Sequence, residues 1–187
     1  EGRGDARAYG ELIAREAGRL EALVEKSLLA ARTDVAPVFA ACDPAEILNN
    51  CTVSHAPLAA RLGKSVTCDV SGLPRAAWDA DALRQAVSNL VDNALRHGGS
   101  NVVLRARADG DAVRVEVEDD GPGLRGGDRR RVFGRFARGT TDAPGTGLGL
   151  WLVDRVARSH GGSVDVRSEP GRCAFVMTLP LRPPGAS

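Results

Sequence analysis

Three short stretches decide how this chain reads: Asn89-Leu90-Val91-Asp92-Asn93, Asp119-Asp120-Gly121-Pro122-Gly123 and Gly145-Thr146-Gly147-Leu148-Gly149-Leu150. Each falls at a different kind of junction. The first lies inside a helical pattern, the second follows a strand-like run, and the third precedes another helical pattern. Glycines let a backbone approach phosphates closely, and a helix start offers them unpaired N–H groups and a partial positive charge. The third stretch is therefore a candidate anion cradle. It is not the dinucleotide fingerprint, because Leu150 stands where the last glycine belongs and no strand precedes it. Nor is it a Walker loop, since no Gly-Lys-Ser/Thr follows. Taken alone, it also fits an ordinary loop leading into a helix.

The second stretch puts Asp119 at a strand end, before Gly121 and Gly123, which remove side-chain bulk around it. A carboxylate fixed there can accept a hydrogen bond from the exocyclic amine of adenine. Guanine presents a carbonyl at that position and would be repelled, so Asp119 would select ATP over GTP. An ordinary turn also favours Asp and Gly. In the first stretch Asn89 and Asn93 are four apart and share a helical face, with Arg96 and His97 one turn on. Amide oxygens can complete the shell of a Mg²⁺ held mainly by phosphates, and Arg96 and His97 can bond phosphate oxygens. Two helical asparagines can equally be solvated surface.

Outward from these stretches the chain is well punctuated. Tyr9 to Arg32 is proline-free, with Ile13, Ala17, Leu20, Leu23, Val24, Leu28 and Ala31 at helical spacing, which predicts a long amphipathic helix whose apolar stripe needs a partner. Asp43-Pro44 predicts a helix start, with the helix running to about Arg61. Ser65 to Val70 alternates as a strand and Ala76 to Trp78 is a brief one. Asp79 caps the asparagine helix, which Gly98-Gly99 stops. Asn101 to Ala108 and Ala112 to Glu118 flank Asp109-Gly110 as a hairpin. A glycine-rich loop from Asp120 to Asp128, a short helical piece from Arg129 to Phe136 and a polar lid from Ala137 to Thr146 follow. Arg129 to Arg131 reads as a solvated face. Leu148 to Ser159 is helical, and Ser163 to Arg167 and Cys173 to Leu179 form a last strand pair. Hairpin strands with helices between them predict an α/β sandwich, with helices on one face of a mixed sheet.

The 187 residues carry 25 basic and 24 acidic side chains, a formal net charge of +1, so no global field draws the chain to nucleic acid or to an anionic membrane. Hydrophobic residues make up 43% but aromatics only 4%, so aliphatic side chains must build the core. Cys42, Cys51, Cys68 and Cys173 form no C-x-x-C pair, which argues against a zinc site or disulfide scaffold and fits core thiols of a cytoplasmic protein. No apolar run is long enough for a membrane span, and the charged start is no signal peptide. The chain reads like a fragment.

In their order, the asparagine helix, D-x-G-x-G, Phe133 and Phe136, and G-T-G-L-G-L resemble the ATP-binding catalytic domain of sensor histidine kinases in two-component systems, from roughly Val38 to Pro180. The resemblance implies the Bergerat fold: a two-layer α/β sandwich, its mixed and mostly antiparallel sheet packed against about three helices. It also implies an N-terminal long helix, similar to the second helix of the family's dimerisation and phosphotransfer bundle. Residues 1–34 would then be bundle helix and 35–187 the ATP-binding domain. By the same resemblance Asn93, assisted by Asn89, holds Mg²⁺; Arg96 and His97 meet phosphates; Asp119, Gly121 and Gly123 form the adenine pocket. Gly145, Gly147 and Gly149 cradle the phosphates and hinge the lid, with Thr146 and Leu148 in the same site. Phe133 and Phe136 anchor the lid, and Arg138 reaches the phosphates when it closes.

Related gyrase-type, mismatch-repair and heat-shock chaperone ATPases place a glutamate base four residues before the metal asparagine. Here that position is Asn89, which favours transfer to a side chain over hydrolysis. The family's phosphoaccepting histidine, followed by an acidic residue and then a proline, has no counterpart. Ser54-His55-Ala56-Pro57-Leu58 lacks the acidic neighbour and the spacing, and His160 at a helix end needs only a dipole or capping role. The implied partners are ATP, the phosphoacceptor helix of a parent kinase that is a homodimer, and a response-regulator receiver domain, on the cytoplasmic side whether or not the parent is anchored in the inner membrane.

Overall fold

The computed structural model describes residues 9, 10, 13, 16, 36–124, 131–135, 137 and 147–185. The expected helix over Tyr9 to Arg32 lies almost wholly outside them. Tyr9, Gly10, Ile13 and Glu16 are helical, and Tyr9 and Ile13 are exposed.

The described elements run β1 (Ala40–Cys42), α1 (Pro44–Arg61), β2 (Ser65–Val70), β3 (Ala76–Trp78), α2 (Ala80–His97), β4 (Asn101–Asp109), β5 (Ala112–Asp119), a 3₁₀ turn (Arg131–Phe133), α3 (Gly149–Ser159), β6 (Ser163–Glu169) and β7 (Arg172–Pro180). Five strands form one sheet in the order β2-β4-β5-β7-β6. β2 runs parallel to β4, and every other pair is antiparallel. Three helices pack on one face, so this is the mixed two-layer α/β sandwich of the Bergerat fold. β1 and β3 form a separate two-stranded ribbon.

Local chemistry sets the helix ends. The Asp43 carboxylate accepts from Ala45 N–H at 2.9 Å, with Pro44 in the first turn of α1. Asp79 accepts from Ala82 N–H at 2.9 Å at the start of α2 and from Val38 N–H at 3.1 Å. Each satisfies amides that a helix start leaves unpaired. On β5 the alternation is complete: Val113, Val115 and Val117 are buried, while Arg114, Glu116 and Glu118 face outward. Across the ladder Leu179, Met177 and Phe175 oppose those valines. The helices close this face with Leu83, Val87, Leu90 and Val91 of α2 and Val153 and Ala157 of α3. Each of these leucines and valines contributes about 1.5–3 kcal/mol by leaving water. Trp78 is fully buried and donates its indole N–H to Pro180 O at 2.6 Å, which pins the chain's end to the ribbon. The outer face instead carries charge, with Arg105 paired to Glu116 and Glu118, and Arg172 to Glu118.

Two histidines tie helices together with opposite ionisation. His160 is fully buried, and its Nε2 accepts from Asp79 N–H at 3.1 Å, so Nδ1 carries the proton and donates to Val156 O at 2.8 Å. Burial pushes its pKa down. The histidine therefore acts as a neutral link between the end of α3 and the start of α2, not as a cation on the helix dipole. His55 lies between α1 and α2, with Nδ1 2.7 Å from Cys51 O and Nε2 3.5 Å from an Asp92 oxygen. Asp92, then Cys51, push its pKa up to about 10.

The signs differ accordingly. His55's contribution to stability is complete below about pH 6.5, its unfolded value, and is lost as pH rises through about 10. His160's is complete above about pH 6.5 and is lost as pH falls from there toward its depressed folded value. His97, exposed overall but also pushed down by desolvation, Arg96 and Lys64, adds to the acid side. Thermal stability is expected to peak near neutrality, with limbs of a few degrees, since about 1 kcal/mol moves Tm by roughly 2–4 °C at this size. His55→Gln should flatten the alkaline limb and His160→Gln the acid one. Calorimetric scans from pH 5.5 to 9.5 test this, and limbs unchanged in both variants would refute the assignment.

Candidate functional site

The end of β5 and the end of α2 are built against each other. Asp119, the last residue of β5, is only 4% exposed. Its Oδ1 accepts from Gly121 N–H at 2.9 Å, and the Gly99 amide also bears on the carboxylate. Burial pushes its pKa up, while these amides and Lys64 oppose that. A carboxylate offers about four acceptor sites, so two amides leave capacity for a ligand. Opposite it on β7, the Cys173 thiol is pushed up to about 11 by burial and by Asp119 itself, so it stays neutral there.

The glycines here are required by space. A Cβ on Gly121 would lie 2.6 Å from Asp119 Oδ1, and one on Gly98 would lie 2.5 Å from the same carboxylate. Gly123 has φ +75°, and its Cβ would meet Ser168 Oγ at 2.6 Å. The loop is tied to the β6–β7 hairpin by Leu124 N–H donating to Ser168 Oγ at 2.6 Å and Gly171 N–H donating to Gly121 O at 3.0 Å. Asp120 faces away from Asp119 and accepts from Asn101 N–H at 2.8 Å and Asn101 Nδ2 at 2.7 Å.

On α2, Asn89 and Asn93 are half-buried, and Arg96 and His97 are exposed. Among the described residues nothing hydrogen-bonds the Asn89 or Asn93 amides, and none of their atoms is a buried polar group without a partner. The start of α3 lies over this face, with the Gly149 Cβ position 3.7 Å from Asn89 Cβ and Cγ. That is ordinary contact, so the packing of the described residues does not demand glycine at 149. Gly147, in contrast, has φ +67°. Buried Leu148 caps α3 without any side-chain hydrogen bond, so among the described residues the first amides of α3, unlike those of α1 and α2, have no carboxylate cap. The three features thus bring together an acceptor at Asp119, a helix start at Gly149 and two neutral amide side chains at Asn89 and Asn93.

Phe133 is half-buried and packs edge-on against Phe175, with centroids 6.0 Å apart. Phe136, Arg138, Gly145 and Thr146 lie outside the described residues, as does nearly all of the lid segment. His55 lies on α1, with Nδ1 on Cys51 O and Nε2 beside the Asp92 carboxylate. In the sequence Gly98-Gly99 reads only as a helix stop. One glycine suffices for that, and the doubled glycine is the available signal of a close approach. Nothing in the sequence marks the bond of Asp120 to Asn101 or the reach of Lys64 to Leu95 and Gly98.

A family model described as histidine kinase-, DNA gyrase B- and HSP90-like ATPase matches residues 78–183. The alginate biosynthesis sensor protein KinB of Pseudomonas aeruginosa is 35% identical over 147 residues, covering 76% of this chain and 25% of that protein. The sensor-type histidine kinase PrrB of Mycobacterium tuberculosis is 39% identical over 144 residues, or 75% of this chain and 29% of that one. Among solved structures, full-length ShkA in complex with AMPPNP superposes with a TM-score of 0.79 at 33% identity, over 93% of this chain and 38% of that one. The ATP-binding domain of PrrB from Mycobacterium tuberculosis gives 0.59 at 30%, over 76% and 97%. The chain thus spans about a quarter to a third of the first curated relatives it matches. With the matched segment containing the asparagine helix, the Asp119 loop and the start of α3, the chain belongs to the histidine kinase-, DNA gyrase B- and HSP90-like ATPase family and carries the ATP-binding catalytic domain of a sensor histidine kinase.

Proposed function

We propose that the chain holds Mg-ATP between Asp119 and the start of α3 and presents its γ-phosphate to a histidine on the bundle of a homodimeric, cytoplasm-facing parent kinase, for relay to a response-regulator receiver domain. The observation that carries the reading is the buried Asp119, framed by glycine amides with acceptor capacity to spare. Gly121 and Gly98 let the backbone close on that carboxylate, where any Cβ would collide with it. The uncapped amides of α3, after Gly147, Leu148 and Gly149, take the phosphates, with Arg96 and His97 adding positive charge. Gly145, Thr146 and Arg138 complete this side, and Phe133 with Phe136 anchors it.

Magnesium fits the donor set. The described residues contain no cluster of three or more His, Cys, Asp or Glu side chains suited to a metal, so the protein alone does not build a cation cage. Asn93 and Asn89 supply neutral oxygens, which suits an ion whose charge is met mainly by phosphates. No described helix is long and apolar enough to cross a membrane. By the family resemblance, residues 1–34 are the bundle helix and 35–187 the catalytic domain.

Asn89 has no proton-accepting group, so bound ATP is not consumed by activated water. Among the three histidines, His55 is engaged at both nitrogens and His160 is fully buried. Incubated with γ-labelled ATP, the 187-residue chain is expected to bind nucleotide, with ATP preferred over GTP, and to acquire no alkali-stable phosphate. Sustained phosphate release would make it a hydrolase instead, and stable label on the chain would identify an acceptor within it.

A further inference from the structure

We infer that Lys64 is a positioning residue for base recognition, holding the Gly98-Gly99 turn and the Asp119 carboxylate in their working arrangement. The inference rests on the reading of Asp119 as the adenine acceptor. Lys64 follows α1 directly, where Gly63 at φ +67° reverses the chain and Lys64 N–H closes the helix on Ala59 O at 2.9 Å. From that fixed root its ammonium donates to Leu95 O at 2.7 Å and Gly98 O at 3.0 Å. These are carbonyls at the end of α2, which that helix cannot satisfy by itself. A cation there also complements the helix dipole.

The turn so held packs directly against the Asp119 carboxylate. Gly98 sits so close to Asp119 that a Cβ would lie 2.5 Å from its carboxylate, and one on Gly99 would lie 2.1 Å from Asp120 Oδ1. Movement of Gly98 therefore moves the Gly99 amide that bears on Asp119. The groups acting on Asp119 are Lys64 from the α1–β2 junction, Asp120 from its own loop and Cys173 from β7. Lys64 is the cation among them, and it favours the ionised carboxylate against burial and Asp120. His97 at the end of α2 faces the same ammonium.

The test uses the 187-residue chain and compares ATP with inosine triphosphate, which differs at the position Asp119 reads and shares its phosphate ionisation with ATP. The preference, the ratio of the two Kd values, is measured by calorimetry from pH 5.5 to 8. Lys64→Met and Lys64→Gln are each expected to lower the preference by about fivefold or more and to shift its acid fall-off to higher pH, with Lys64→Arg restoring most of both. Equal weakening of both nucleotides, or an unchanged pH profile in folded variants, would reduce Lys64 to a helix cap and overturn the inference. Asp119→Asn separates the two levels. If that variant keeps the wild-type preference for ATP, it is the pocket reading that fails, whatever Lys64 does.

Discussion

Asp119→Asn is expected to weaken ATP binding by about 30- to 150-fold while leaving the domain folded. The substitution is nearly isosteric, and the tight spacing to Gly98 and Gly121 admits no larger group. Its consequence follows from donor and acceptor placement. Gly121 N–H donates to Oδ1 at 2.9 Å, so the asparagine oxygen settles on that side and its NH₂ turns toward the ligand. Adenine's amine then faces another donor. Losing a charge-assisted bond and leaving a donor unpaired costs about 2–3 kcal/mol, the stated range in Kd. Inosine triphosphate, with a carbonyl at that position, should lose little and could overtake ATP. Calorimetric titration of both nucleotides decides it, and an ATP affinity within threefold of the unaltered chain would remove Asp119 from the site.

Parts of this architecture are legible because their causes are local. Asp43-Pro44 and Asp79 cap helices with their own side chains, and Asp109-Gly110 turns a hairpin whose strands alternate valine with charge. Those signals sit within a few residues of what they determine. The strand order is different in kind. Ser65 pairs in parallel with Asn101, and Ala40 pairs with Trp78, so the sheet's parallel edge and the β1–β3 ribbon depend on partners far along the chain.

The site divides the same way. Asp119, Asn89, Asn93 and Gly147 announce themselves by residue type and by position at an element's end or on one face. Lys64 and Asp120 act through bonds to Gly98 and Asn101, and His55 and His160 through bonds between helices, none of which leaves a period or a motif. A lysine after a helix looks like solvated surface until the carbonyls it reaches are known. Gly149 shows the converse. It reads as part of a glycine motif, yet the described residues around it leave room for a side chain.

Asn93→Ala is expected to abolish the Mg²⁺-dependent part of ATP binding, a loss of about 100-fold with the metal present and little change without it. Asn93 is half-buried, and among the described residues its amide makes no hydrogen bond. Alanine favours the interior of α2 more than asparagine does, so the thermal midpoint should hold or rise slightly. Binding without the metal survives because Asp119 and the start of α3 belong to other elements. The two grips are then additive, and only the metal-mediated one, about 2–3 kcal/mol at this size of effect, disappears. Asn89→Ala should act in the same direction but less, since Asn89 assists. Asn93→Asp distinguishes lost coordination from lost shape, because it keeps an oxygen but adds a negative charge beside a triphosphate, and it should retain metal dependence at reduced affinity. Titrations in magnesium and in chelator give each term separately. If Asn93→Ala binds ATP with its magnesium dependence intact, the metal is held elsewhere, and the asparagine face of α2 is only the solvated surface that its sequence, taken alone, also allowed.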